Sequence, residues 1–281
     1  MNEKELEIKR SYAVMKRNEI VQKATYNMTA LEHKFLCYVI SKIKPTDKEL
    51  DFMIISALEF AEVCGIDRKH VYREFKKMAD DFRHNQSWVK IGDDTVQLGI
   101  IGFPEYNEKS GRLKFILNPR LKKYLLEMGR HYTSYELWNI LSLKSKHSIR
   151  LYELFRSYAY QFEVEIELEK LKALLCVSNY KLFKDFERRV LNPGIEEINS
   201  LTDLEVSFTP IRYGKGTRGK GSKVISIVFN IKRKDYDGKI KAYHKTVERL
   251  NKDTEQCKGQ ITMFDEDMKN EIKSADEISV T

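Results

Sequence analysis

Apolar positions recur at helical and strand spacings along the first half of the chain. Thr29 and Glu32 have the spacing of a capping box, which predicts the start of a helix that Pro45 ends. Gly65 ends a later helix and Asp67 can cap the one that follows it. The predicted elements of this first unit are a helix from 29, a strand at 50–55, helices at 56–64 and 67–83, and strands at 87–91, 96–101 and 113–117.

The same order of elements follows in a second unit. Residues 162–168 alternate apolar and charged side chains, as a half-buried strand does. Ser178 has the character of a helix cap, and Pro193 predicts a kink or break in the helix after it. The predicted elements are helices at 118–128 and 134–160, a strand at 162–168, helices at 169–175 and 178–199, and strands at 206–211 and 224–231.

The two units align at a fixed offset of 111 residues. Phe60 aligns with Leu171, and Phe75 aligns with Phe186. Two short helices joined by a tight turn and followed by a β-hairpin form a winged helix. The sequence therefore predicts a helix-rich α+β protein with two tandem winged-helix domains. The predicted segments are an N-terminal arm at 1–28 that orders on association, winged-helix domains at 29–128 and 129–235, and a flexible tail at 236–281 with an acidic end.

The charge of the chain is unevenly distributed. The formal net charge is +8 over 281 residues, with a pI near 9.0. Residues 253–281 carry three lysines and eight acidic residues, so the rest of the chain carries +13. A basic folded part favours a polyanionic partner. The charged N-terminus and the lack of a long apolar run predict a cytoplasmic protein without a membrane partner.

The longer predicted helix of each unit combines a buried stripe with a cationic face. The stripe in the first unit consists of Val71, Phe75, Met78 and Phe82. Neighbouring acidic residues leave a simple solvated face as the alternative. Leu182, Phe186 and Val190 are expected to be the stripe in the second unit, which has fewer acidic residues. Arg and Lys on such a face suit guanine edges and phosphates. The predicted DNA contacts are Arg68, Lys69, His70, Arg73, Lys76 and Lys77 in the first unit, and Asn179, Tyr180, Lys181, Lys184, Arg188 and Arg189 in the second.

A glycine-rich cationic segment lies between the last two predicted strands. Flexible cationic wings suit contact with phosphates or the minor groove. Gly214 to Lys220 also fits GxxxxGK, but Gly221 replaces the Ser or Thr of a nucleotide-binding loop, and strands flank the segment on both sides. We therefore predict DNA contact here rather than nucleotide binding. The residues are Arg212, Lys215, Arg218, Lys220 and Lys223.

Catalytic chemistry has little support in the sequence. The six histidines lack metal-binding spacing, and the four cysteines lie too far apart for a zinc site or a disulfide framework. A nuclease or an ATPase is therefore disfavoured. We predict no catalytic residue, no cofactor and no metal.

Three motifs resemble one known family. The segment 143–155, LKSKHSIRLYELF, is similar to S-K-x-S-I-R-L-Y-E-L, and 118–121 and 186–199 match further family segments. Gly194 stands where the family usually has Ala. The chain thus resembles the plasmid replication initiators of the Rep type, over roughly residues 17–232.

This resemblance implies both fold and function. Such proteins have two winged helices, bind direct repeats called iterons at the plasmid origin, help to open the adjacent DNA and recruit host replication proteins. Many form homodimers through the first unit and repress their own promoter, whereas the monomer initiates. The resemblance places the main recognition helix at 181–189. A winged-helix repressor without an initiator role is the alternative.

The 143–155 motif has two interpretations. Ile149, Leu151, Tyr152 and Phe155 are expected in the core of a long helix. Three cations of the same motif are candidates for phosphate contact, namely Lys144, Lys146 and Arg150.

A short motif lies in the acidic tail. Gln260, Met263 and Phe264 fit the Q-x-x-[L/M]-F peptide by which bacterial proteins bind the polymerase sliding clamp. An exposed amphipathic helix end is the other interpretation.

Overall fold

A computed structural model describes residues 2–44, 46–84, 86–92, 97–214 and 222–252. The helices are α1 Glu3–Arg10, α2 Asn18–Lys23, α3 Ala30–Ile40, α4 Ala57–Cys64, α5 Arg68–Arg83, α6 Lys122–Leu125, α7 Trp138–Leu141, α8 Lys146–Tyr158, α9 Leu168–Leu174, α10 Phe183–Phe186, α11 Asn192–Leu201 and α12, described over 236–252. The strands are β1 Ala13–Arg17, β2 Ala24–Asn27, β3 Met53–Ser56, β4 Trp88–Ile91, β5 Leu98–Gly99, β6 Ile101–Asn107, β7 Arg112–Leu117, β8 Tyr132–Glu136, β9 Glu163–Glu167, β10 Leu204–Tyr213 and β11 Lys223–Arg233.

The first winged helix consists of α3, β3, α4, α5 and the β6–β7 hairpin. Its sheet has the order β3-β7-β6. The Thr29–Glu32 capping box predicted for α3 is present, and Gly65 ends α4 with a φ of 65°. Phe35 is fully buried at the centre of the domain, with its ring 5.4 Å from Phe60 and 5.6 Å from Phe75. The aromatic core thus holds α5 against the hairpin.

The second winged helix repeats this topology with α8, β9, α9, the α10–α11 helix and the β10–β11 hairpin. Its sheet has the order β10-β11-β9, so the first strand again pairs with the third. The predicted fold class is therefore confirmed. A single offset of 111 residues is not confirmed, since β3 and β9 begin at 53 and 163 whereas α3 and α8 begin at 30 and 146.

The N-terminal segment does not form a free arm as predicted. It contains α1, β1, α2 and β2, and β1 pairs with β8 in an antiparallel register from Ala13↔Glu136 to Arg17↔Tyr132. Val14, Ile20 and Tyr26 are buried. The prediction failed because these apolar residues are spread over short elements that have no sustained period of their own.

Two long predicted helices are divided in the structure. Residues 134–160 contain the end of β8, the short helix α7 and α8. The predicted helix 178–199 begins only at Phe183, and it includes a π-helical segment, Glu187–Leu191. Leu182 therefore lies before the helix and is 65% exposed, contrary to its predicted place in the buried stripe.

The flexible tail predicted from residue 236 is wrong for residues 236–252. Residues 236–252 form α12, whose side chains Ala242, Thr246 and Leu250 are buried. The acidic segment and the motif with Gln260, Met263 and Phe264 lie outside the described residues. None of the described helices is long and apolar enough to cross a membrane.

Candidate nucleic-acid interface

The helix at 183–201 presents cations on a surface opposite its core. Phe186 and Val190 are buried, while Lys184, Arg188 and Arg189 are exposed. Arg188 has one ion pair, 3.2 Å from Asp185. Among the described residues, Lys184 and Arg189 have no ion-pair partner. These cations are therefore available to phosphates and base edges.

The predicted break at Pro193 is not present. The helix widens into π geometry over Glu187–Leu191 and then continues as α11, with Pro193 in its first turn. Proline has no backbone N–H to donate, and a π segment is a known way for a helix to accommodate a local change in its ladder. The cationic and amphipathic halves thus form one continuous helix.

Three predicted contacts precede this helix. Asn179 and Lys181 are exposed on the turn between α9 and α10. Tyr180 is half-buried, with its ring centroid 6.4 Å from that of Phe186. Tyr180 therefore packs on the helix that carries the cations, and its neighbours extend the polar surface.

The equivalent helix of the first domain, α5, has a more neutralised surface. Val71, Phe75, Met78 and Phe82 are buried as predicted. Three of its basic side chains lie close to acidic residues, and the partners of Arg73 and Lys76 lower the net positive potential of the helix. The pairs are His70–Asp67 at 3.3 Å, Arg73–Glu74 at 3.5 Å and Lys76–Glu108 at 2.7 Å.

Three further cations complete the α5 predictions. Lys77 is exposed and has no ion-pair partner within the part of the chain that the structure describes. The side chains of Arg68 and Lys69 lie outside the described residues. The wing of this domain supports α5 directly, because the Tyr106 hydroxyl donates to the Tyr72 carbonyl at 3.4 Å.

The wing of the second domain is the long β10–β11 hairpin. Arg212 and Lys223 are exposed near the loop end of this hairpin, where Tyr213 lies opposite Lys223 in the strand register. Lys215, Arg218 and Lys220 lie outside the described residues. Tyr213 is 76% exposed between these cations and was not among the DNA contacts predicted from the sequence. An aromatic residue next to basic residues in a wing is the signal that identifies it.

The three cations of the 143–155 motif are separated by the structure. Lys144 is exposed just before α8, and it lines one cleft together with Ser145, Arg189 and Arg249. Lys146, in the first turn of α8, is half-buried. Lys144 is thus brought close to Arg189 of the helix at 183–201.

Arg150 is placed where it does not contact DNA. It is 6% exposed, and its guanidinium donates to the backbone carbonyls of Val21 at 3.2 Å and Ala24 at 2.9 Å. The expected phosphate contact for Arg150 is therefore wrong, because these bonds hold the side chain inside the protein. The four apolar residues of the motif are in the core, as predicted.

Arg150 belongs to a buried polar cluster around Glu153 on α8. The Glu153 carboxylate accepts hydrogen bonds from Lys16 of β1 and from the Tyr135 hydroxyl at 2.6 Å. His33 of α3 lies 3.0 Å from the second carboxylate oxygen, and Arg150 lies 3.3 Å from it. We call this set the Glu153 cluster. It joins the first helix of each winged-helix domain.

Burial shifts the protonation equilibria in this cluster. The neighbouring Lys16, His33 and Arg150 overcome the effect of burial and hold the pKa of Glu153 well below its usual range. Burial lowers the pKa of His33, so the imidazole is neutral at pH 7. Two cations and one carboxylate then leave a net charge of +1 inside the protein.

The Glu153 cluster also contains a set of possible metal ligands. His33, Cys37 and Glu153 place one ligand atom each within 4.8 Å of one another. The Lys16 ammonium bonds Glu153 and lies 3.4 Å from the Cys37 sulfur. A cation is thus already present among these groups, and burial raises the pKa of the Cys37 thiol to about 11. A neutral thiol is a poor metal ligand.

A second exposed surface lies on the sheet of the first domain. Phe52 and Ile54, at the β3 edge, are 54% and 60% exposed, and Lys114 lies 5.2 Å from the Phe52 ring. Phe103 is 74% exposed, in an irregular part of β6 and with a φ of 51°. We call these residues the outer sheet surface.

Two winged helices in one chain, with a cationic helix and a cationic wing in the second, define the class of tandem winged-helix DNA-binding proteins. The model of the initiator replication protein WH1 domain matches residues 13–156, and that of the initiator Rep protein WH2 domain matches residues 167–231. The chain belongs to this replication initiator family.

Individual relatives agree with this assignment. A replication initiation protein from Escherichia coli is 22% identical over 205 residues. That match covers 69% of this chain and 64% of the relative, so the chain spans less than two thirds of the relative's length. The crystal structure of the Pi initiator protein in complex with iteron DNA aligns with a TM-score of 0.63 and 21% identity. It covers 80% of this chain and 99% of that chain, which shows the shared fold.

Proposed function

We propose that this protein initiates plasmid replication in the bacterial cytoplasm by binding direct repeats at the plasmid origin, without catalysing a reaction itself. The observation that carries the proposal is the set of exposed, unneutralised cations on the recognition helix of the second domain, Lys184 and Arg189 above all. The related Pi initiator was solved with iteron DNA, which supports repeats as the target. Bound initiator then helps to open the adjacent DNA.

The second domain provides the main recognition of the DNA sequence, and the first domain provides an auxiliary DNA contact. On α5, Arg73 and Lys76 are offset by Glu74 and Glu108, whereas Arg189 has no such partner among the described residues. Arg in a groove can bond guanine bidentately, while neutralised cations add less to phosphate binding. The wing cations contribute phosphate contacts that do not depend on sequence.

The outer sheet surface is the proposed homodimer interface. β3 is an edge strand, and exposed edges of this kind pair readily with another copy of the same strand. Phe52 and Ile54 supply exposed apolar area. Lys114 and Glu105 lie 3.7 Å apart, so this surface offers one positive and one negative side chain that can pair with their opposites on a second copy related by two-fold symmetry. The dimer represses the initiator's own promoter and the monomer initiates.

Host replication proteins are the remaining proposed partners. The 260–264 motif gives a specific candidate, the polymerase sliding clamp. Replacing both Met263 and Phe264 with Ala is expected to abolish retention of the purified clamp on immobilised initiator. Unchanged retention would exclude this motif as the docking site.

Footprinting of the purified protein on its own plasmid tests the main proposal. We expect protection of several evenly spaced direct repeats, with affinity falling about 10³–10⁵-fold between 50 and 200 mM salt for 6–10 phosphate contacts. Arg189→Ala should weaken binding by about 1–3 kcal/mol and relax the preference at one base pair. Arg83→Ala is the matched control, since Arg83 is exposed and paired with Asp80 at 2.6 Å.

Other footprints would change the conclusion. A single inverted repeat beside a promoter would favour a repressor without an initiator role. The absence of protection at low salt would reject DNA recognition by these helices.

A further inference from the structure

Helix α12 lies outside both family-model matches, the second of which ends at residue 231. Thr246 of α12 is fully buried. The Thr246 hydroxyl donates to the Leu201 carbonyl of α11 at 2.9 Å and lies 3.1 Å from the Ser142 hydroxyl. One side chain thus connects α11 of the second domain with the segment that follows α7.

The far end of α12 is seated on the first domain. A Cβ atom added to Gly65, at the turn between α4 and α5, would lie 2.7 Å from the Leu250 carbonyl oxygen and 2.9 Å from the Leu250 Cα. Such distances are too short for real atoms, so α12 approaches this turn as closely as a glycine permits. The turn leads directly into α5, the recognition helix of the first domain.

Further contacts fix α12 on both sides. The Tyr243 ring packs edge-on against Trp138 at 5.4 Å, and Lys239 pairs with Glu136 at 2.9 Å. On the second domain, Lys245 donates to the Ser200 hydroxyl at 2.9 Å. These contacts bridge the two domains at a place distant in sequence from the Glu153 cluster.

Glu197 extends the bridge toward the DNA-facing cleft. Its carboxylate lies 3.5 Å from Arg249 of α12 and accepts from the Lys144 backbone N–H at 3.3 Å. Arg249 and Lys144 line the same cleft as Arg189. Helix α12 therefore contacts the surroundings of both recognition helices, α5 through Gly65 and the second through Glu197.

We propose that α12 is a positioning element that holds the two recognition helices at one fixed separation, and so sets the spacing of DNA half-sites that the initiator accepts. This inference rests on the proposed function, because it requires both domains to bind one DNA segment. The DNA-facing side chains would provide the affinity for each half-site. By keeping the two domains rigid, α12 would cause the loss of affinity for DNA in which the half-sites have a different spacing.

The expected penalty follows from the geometry of DNA. Two inserted base pairs move one half-site by about 7 Å and rotate it by about 70°. A rigid pair of domains then loses simultaneous engagement, which is worth about 10²–10⁴-fold in affinity. A loosened pair follows the displaced half-site and loses much less.

The test uses full-length protein and a duplex that it selects from a pool of random sequence. The same duplex with two base pairs inserted between its protected halves, and each half alone, are the comparison probes. The variants are Gly65→Ala, which pushes Leu250 away, and Thr246→Val, which removes both hydroxyl contacts. Gly92→Ala is the matched control, because Gly92 also has a positive φ, 62°, but nothing lies within 4 Å of an added Cβ.

The wild type and Gly92→Ala are expected to lose at least about 100-fold in affinity on insertion. Gly65→Ala and Thr246→Val are expected to lose less than about tenfold, while they bind each half alone as the wild type does. An unchanged insertion penalty in Thr246→Val, the variant that introduces no backbone strain, would overturn the inference. A wild type that selects no duplex would instead reject the proposed function itself.

Discussion

Glu153 and Glu59 offer a comparison of one substitution in two environments. Each carboxylate contacts two cations and a tyrosine hydroxyl. Glu153 is fully buried, and its partner Lys16 is 1% exposed. Glu59 is 29% exposed and contacts Lys9 at 2.8 Å, Lys42 at 3.0 Å and the hydroxyl of Tyr38 at 2.6 Å. We predict that Glu→Gln has very different consequences at these two positions.

The magnitudes follow from the charge left behind. Glu153→Gln raises the buried net charge from +1 to +2, because Lys16 and Arg150 stay charged without a carboxylate. Removing one partner of a buried pair costs about 3–5 kcal/mol, which lowers the Tm of a chain this size by about 5–8 °C. At Glu59 solvent screens the cations, so Glu59→Gln should cost no more than about 1 kcal/mol.

A third variant, Lys16→Met, tests whether the buried net charge determines the loss of stability. Lys16→Met removes one cation and leaves Glu153 paired with Arg150, so the buried net charge falls to zero. Lys16→Met should therefore cost less than Glu153→Gln. Urea unfolding followed by circular dichroism measures all three variants. Equal costs for the two glutamates, or a larger cost for Lys16→Met than for Glu153→Gln, would refute the reasoning.

Three further predictions concern pH, salt and the division between folding and binding. Because burial lowers the pKa of His33, the unfolded state binds a proton more readily, so the Tm should fall as the pH drops below about 6.5; a flat Tm between pH 7 and 5.5 would contradict this. Lys146→Ala should reduce the slope of log affinity against log salt by about 1 if Lys146 contacts a phosphate; filter binding at five salt concentrations decides this. Arg150→Ala should lower the unfolding midpoint in urea, whereas Arg189→Ala should weaken DNA binding and leave that midpoint unchanged.

The elements that the sequence predicted well are those with strong local signals. The α3 capping box, the Gly65 helix end and the buried stripe of α5 depend on residues within one or two turns of each other, and the structure has all of them. The winged-helix fold followed from the order of these elements. Local signals of this kind need no knowledge of distant partners.

The errors arose where distant partners decide the structure. β1 is a strand because β8 pairs with it, although more than a hundred residues separate them. Arg150 looks like an exposed cation in the sequence, but Glu153 and two backbone carbonyls from the N-terminal segment bind it. The kink or break was predicted from Pro193 alone, whereas the helix continues through a π segment into α11.

The DNA-facing residues also divide into those that local sequence signals predict and those that depend on distant partners. Lys184, Arg188 and Arg189 were predicted from the phase of the helix, and the structure exposes them. The neutralisation of Lys76 was not predictable, because its partner Glu108 lies on a different element. In the sequence, Gly65 indicated only the end of a helix. Its close contact with α12 could be found only from the three-dimensional structure.

The pairing of β1 with β8 has a consequence for synthesis on the ribosome. The first strand of the sheet leaves the exit tunnel long before residues 132–136 are made, and at about 5–20 residues per second the delay is on the order of 10 s. During that time Val14 and the buried side chain of Lys16 have no partner strand. Nascent β1 is therefore an unpaired edge strand until most of residues 13–156, the part matched by the first family model, has emerged.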